Sequence, residues 1–223
     1  MAGDSDLLDT TEGLEARRVR HWYDRLMMLA DGVFAIAITF LSVDIAKPLL
    51  WNGDLGALWA HLTPQLDAYA MSFLVISIYW LAHRRFMAMI LTVDAPVTVL
   101  TLLVLGLVVL LPPATRLING DYAHPAARLV YGGLVVAIGL AMALLWGYAA
   151  LIAKLVSQEV GGSVRWFLLA LIALTPPFFL ALTMAIPAPP HGLIPLVLVG
   201  LFLIGWRMRL RVLKQLGAKP YVG

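Results

Sequence analysis

The chain has 223 residues, of which 61% are hydrophobic and 13% charged, and its mean hydropathy is +0.89. Soluble domains run nearer about 45–50% apolar and about 25% charged, so a soluble enzyme, a disordered chain and a coiled coil are excluded and lipid is the expected solvent. The net charge of +3 does not imply nucleic acid, because most basic residues flank apolar runs. The absence of Cys removes disulfides, thiolate zinc sites and Cys nucleophiles.

Residues 1–18 carry Asp4, Asp6, Asp9, Glu12 and Glu15 and read as a flexible acidic tail. A signal peptide needs a basic start and an apolar centre, so this segment is not one, and the N-terminus is expected to stay on the side of synthesis. Residues 19–212 are expected to form an all-α, six-helix transmembrane domain, and 213–223 a short C-terminal tail. At about 20 apolar residues per crossing, the spans fall near 26–47, 66–83, 95–112, 129–153 and, in the long run from Trp166 to Trp206, two more divided by Pro187–Gly192. Pro112-Pro113 is expected to close span three. Pro176-Pro177 either kinks span five or ends it early. Thirteen of the 16 Lys and Arg residues then lie on one side, which places both termini in the cytoplasm of a multi-pass cell (plasma) membrane protein. The basic segment from Arg207 to Lys214 either continues helix six near anionic headgroups or forms a solvated tail that sets topology.

The first span is the unusual one, because it holds Asp31. A carboxylate inside a membrane needs water or a partner, so Asp31 either anchors the helix start at the interface or joins a polar network. Gly32, Ile36, Thr39, Phe40 and Val43 share one stripe of this helix. The stripe is either a packing seam or, if several copies surround an axis, a series of apolar rings with one hydroxyl layer. Apolar constrictions can gate by dewetting. Ala35, Ala37 and Ile38 are expected on the opposite, packing side. In span two, Trp80 and His83 share a face. They serve as interfacial residues or, with Arg25 and Asp31 at similar depth, as partners for one another. Asp44 is either a helix-end charge or part of an outer ring that concentrates cations.

Two motifs carry a resemblance. The first is Arg25-Leu-Met-Met-Leu29-Ala30-Asp31, followed by an apolar run and Thr39. The second is Ser72-Phe73 through Trp80-x-x-His83-x-x-Phe86. Asp94 opening span three and Leu111-Pro112 closing it add a looser match. Together they resemble the bacterial relatives of the lysosomal/endosomal potassium channel known as transmembrane protein 175. The resemblance covers most of the chain from about Arg20, and it departs from the family where Leu29-Ala30 replaces Phe-Ser and Phe40 replaces the common Leu.

The resemblance implies a homotetrameric potassium channel in the lipid bilayer, with helix one lining the pore. Ile36, Phe40 and Val43 would form the constriction and Thr39 the selectivity layer, while Arg25, Asp31, Trp80 and His83 would form a polar network. Permeant potassium is the expected partner ion. No cofactor, tightly bound metal, catalytic residue or nucleic acid is expected. The absence of a Thr-Val-Gly-Tyr-Gly filter agrees. The rival reading is a proton-conducting channel or proton-coupled transporter using Asp31 and His83; the absence of an internal repeat counts against the transporter. No zinc or paired-carboxylate motif supports an intramembrane enzyme.

Overall fold

A computed structural model describes residues 3–45, 51–120, 123–158 and 160–185, with side chains from His21 onward except those of Asp44 and Gly120. Among the described residues the regular elements are helices, with one isolated antiparallel bridge between Ile90 and Val156, and five segments are long and apolar enough to cross a membrane: His21–Val43, Leu55–Met89, Ala95–Asn119, Pro125–Ile152 and Gly162–Ala185. The sixth expected span, its Pro187–Gly192 turn and the basic C-terminal segment lie outside the described residues.

Helix α1 runs Gly3–Phe40 and tightens into a 3-10 turn at Leu41–Asp44. Its helical backbone therefore includes most of the acidic segment read as a tail. Acidic side chains in the first turns of a helix complement its dipole, and no Pro interrupts the stretch.

Helix α2 spans Leu55–Met89. Asp54 caps it, accepting hydrogen bonds from the backbone N–H of Gly56 (2.9 Å) and Ala57 (3.3 Å). The helix thus begins about three turns before the apolar run that marks span two, and it continues through Pro64. Those first turns carry His61 and Gln65, which hydropathy does not flag.

Helices α3 (Ala95–Val108) and α4 (Leu111–Gly120) together make the third crossing. Asp94 caps α3 by accepting from Val97 N–H (2.9 Å), as the Asp94 motif suggests. Pro112-Pro113 does not close the span; this corrects the expectation. A tight turn at Val109–Leu110 breaks the helix first, and the two prolines then sit in the opening turn of α4. There the backbone N–H has no intrahelical acceptor, so its absence costs nothing.

Helix α5 (Pro125–Gly147) ends in a π-helical turn, Tyr148–Ile152, and α6 runs Gly162–Ala185 straight through Pro176-Pro177. The prolines therefore do not end span five. α5 and α6 approach closely at glycines. A Cβ on Gly139 would run into Pro176 Cγ, and one on Gly132 into Leu180 Cδ1. Small residues at such crossings replace the hydrophobic drive that lipid does not supply.

Polar stitches hold the bundle. Ser72 Oγ on α2 lies 3.0 Å from Tyr131 Oη on α5 and 2.7 Å from Thr115 Oγ1 on α4. Tyr79 Oη donates to Val135 O at 2.7 Å. In a dry interior each such bond also avoids the cost of an unpaired polar group. At one end, the α2–α3 and α5–α6 connections meet. Leu91 N–H donates to Leu155 O (2.9 Å), Tyr148 Oη donates to Asp94 Oδ2 (2.6 Å), and Phe86 stacks on Trp146 with ring centroids 4.6 Å apart. An even number of crossings separates these two connections, so their shared end agrees with the alternation of spans.

Candidate pore face and polar anchor

Helix α1 has two faces. Leu26, Ala30, Phe34, Ala37 and Leu41 recur at helical spacing and are buried against the bundle. The opposite side is left uncovered. Ile36 is 59% exposed, Phe40 56% and Val43 65%. Gly32 and Thr39 are exposed on the same side. All five residues of the sequence-derived stripe therefore lie on the face that the described residues leave open. Ala35 corrects an expectation. It is exposed rather than in the packing seam, because at about 100° per residue Ala35 and Ala37 flank Ile36 in opposite directions around the helix, and only Ala37 turns toward the bundle. Ala37 is buried as expected and Ile38 half-buried.

The one hydroxyl at the centre of this face is oriented. Thr39 Oγ1 donates to Ile36 O at 2.9 Å. A hydroxyl has one proton and two lone pairs; with the proton bonded to the backbone, the oxygen turns acceptor sites outward. That is the polarity a desolvating cation requires.

The polar residues at the other end of the span are partly united. Trp80 Nε1–H donates to Asp31 Oδ1 at 2.7 Å, tying α1 to α2 across 49 residues of sequence. His83 is fully buried and lies under Phe34, with ring centroids 5.9 Å apart. Among the described residues neither His83 ring nitrogen has a hydrogen-bond partner. Ala30, where the resemblance leads one to expect Ser, is buried on the same α1 face as Phe34; alanine offers no hydroxyl there. Arg25 is exposed, and no described contact joins it to Asp31. Instead Arg84 lies over the Trp80 ring, 5.1 Å from its centroid. The reading of the sequence missed Arg84, although its i, i+4 spacing from Trp80 is a usable signal. Asp44 falls in the 3-10 turn; its side chain is outside the described set.

The family model for the endosomal/lysosomal potassium channel TMEM175 matches residues 25–112, the stretch that holds both the open α1 face and the Trp80–Asp31 tie. A protein named as a potassium channel in Chamaesiphon minutus is 33% identical over 141 residues, covering 60% of this chain and 70% of its own length. This chain belongs to the TMEM175 family. Another relative named as a potassium channel, from Streptomyces collinus, is 39% identical over 132 residues, 55% of this chain and 62% of that protein. The chain thus spans somewhat less than two thirds of the Streptomyces relative's length. The fold is similar to a crystal structure of a lysosomal potassium-selective channel TMEM175 homologue from Chamaesiphon minutus. The TM-score is 0.62 at 26% identity, over 86% of this chain and 98% of that one. Membership makes this a multi-pass membrane protein of an ion-channel family, not an enzyme.

Proposed function

We propose that the chain is one subunit of a potassium-preferring cation channel, a homotetramer in the cell membrane whose pore is lined by four copies of α1. The observation that carries this reading is the open α1 face. The described residues bury one side of the first helix and leave Gly32, Ile36, Thr39, Phe40 and Val43 uncovered, with an outward-turned hydroxyl oxygen among them. Around an axis, Ile36, Phe40 and Val43 form the constriction and Thr39 supplies a layer of ligands in place of a carbonyl filter. Asp44 adds negative charge at the outer mouth. The names of the relatives, potassium channels, support the choice of ion.

In this reading the Asp31–Trp80 bond sets the angle at which α1 leans on α2, and so the width at Ile36. His83 beneath Phe34 supports the same joint, and Arg25 stays at the cytoplasmic interface with the basic residues that fix topology. The six-span plan with both termini in the cytoplasm, an acidic segment leading into span one and a short basic tail complete the picture.

The test is Ile36→Asn in reconstituted vesicles. A polar ring wets the constriction, so potassium flux rises above that of the parent protein. Unchanged flux from a correctly assembled variant refutes Ile36 as the gate. Unitary openings in a planar bilayer separate this reading from a proton-coupled carrier, which gives none.

A further inference from the structure

The end of α1 holds a second hydroxyl that none of the roles above uses. Ser42 is exposed, and its Oγ donates to Thr39 O at 2.8 Å. Thr39 makes the same bond one turn earlier, to Ile36 O at 2.9 Å. Each hydroxyl thus bonds its proton to the carbonyl three residues back and keeps only acceptor lone pairs outward.

The backbone brings the two oxygens into line. In a regular α-helix a residue three places on is displaced by about 60° around the axis. Here the helix tightens at Leu41–Asp44, and Ile45 N–H donates to Ser42 O at 3.2 Å, closing the 3-10 turn. Side chains three apart eclipse in 3-10 geometry. With two of the three steps tightened, Ser42 falls within roughly 20° of Thr39 and about 5 Å further along the axis. Leu41, between them, is buried and pins the turn to the bundle. Phe40 and Val43, also three apart, stack in the same way as an adjoining apolar column.

We propose that Ser42 is a second potassium-ligating residue, forming with Thr39 a two-storey ladder of acceptor oxygens that sets selectivity. The proposal rests on α1 lining the pore. An ion leaving the Ile36 ring meets Thr39 oxygens and then Ser42 oxygens one turn outward, so its lost hydration is replaced at two levels. Phe40 and Val43 hold water away from the sides. The 3-10 turn is part of the device, because a continuous α-helix would swing Ser42 off the column.

The experiment measures bi-ionic potassium/sodium reversal potentials in planar bilayers, for the parent channel and for Ser42→Ala, Ser42→Cys, Ser42→Thr and Thr39→Val. Cysteine keeps the size of serine but replaces a hard oxygen by a soft sulfur, a poor ligand for potassium. Ser42→Ala and Ser42→Cys are expected to lower the potassium-over-sodium permeability ratio several-fold, while Ser42→Thr retains it. If Thr39→Val lowers the ratio and both Ser42→Ala and Ser42→Cys keep the parent value, the Ser42 assignment is wrong and the pore reading stands. If the parent protein gives no unitary current, the pore reading itself fails and the ladder with it.

Discussion

Phe34 and Phe40 sit on one helix, six residues apart, and the account gives them opposite duties. Phe34 is 1% exposed, wedged into the bundle over His83. Truncating it to Ala leaves a void and strips cover from a histidine whose ring nitrogens have no described partner. Phe→Ala in a packed core costs about 3–5 kcal/mol. The lower end, about 3 kcal/mol, applies here, because lipid supplies no hydrophobic drive beyond packing. Phe40 is more than half exposed on the subunit, and substitutions at such positions usually change fold stability by no more than about 0.5 kcal/mol. Its truncation should instead widen the constriction. The assay is paired: thermal unfolding of the purified protein followed by tryptophan fluorescence, and potassium flux from vesicles. Phe34→Ala lowers the melting temperature clearly. Phe40→Ala leaves it nearly unchanged and raises flux. A Phe40→Ala protein that melts as early as Phe34→Ala, with parental flux, would show that Phe40 packs the fold and does not line a pore.

Two other substitutions test the supports of α1 and the bundle. Trp80→Phe keeps a ring beneath Arg84 but removes the N–H that reaches Asp31. It should cost about 1 kcal/mol, below the range for bonds to charged groups because Asp31 is exposed, and it should alter open probability more than selectivity; single-channel recordings separate the two. Gly139→Val forces a side chain against Pro176 and should destabilise by about 1–3 kcal/mol, whereas Gly133→Ala, with open space around it, should be neutral or slightly stabilising. Melting curves of the two variants decide, and equal melting would contradict the close α5–α6 crossing.

The parts legible in the sequence are those fixed by long, one-dimensional patterns. Five apolar crossings, the open stripe on α1 and the Asp94 cap all follow from periodicity or a single capping residue. The errors arose where meaning depends on position within a turn. Pro112-Pro113 reads as a stop until it is known to open a helix. The early start of α2 is hidden because polar residues around Pro64 mask a helix already begun at Asp54. Ala35 was misplaced because small size was allowed to outweigh its angle around the helix. The site was half legible. A carboxylate within a membrane span demands water or a partner, and Trp80 at the same depth was among the candidates. That Arg84 rather than Arg25 would lie against Trp80 depends on side-chain reach across two helices, which spacing alone does not determine. The Thr39 and Ser42 bonds to backbone carbonyls are local, yet their outward lone pairs become meaningful only once the face is known to be open.

The central claim is that the uncovered face of α1 meets its own copies around an axis. The chain contains no Cys, so one introduced cysteine reports on one position. Oxidative cross-linking of Ile36→Cys in vesicles is the most direct measurement, with Leu144→Cys as the comparison, a position equally exposed but on α5. The account predicts disulfide-linked dimers for Ile36→Cys and none for Leu144→Cys. Cross-linking at Leu144 with none at Ile36 would place α1 toward lipid and contradict it.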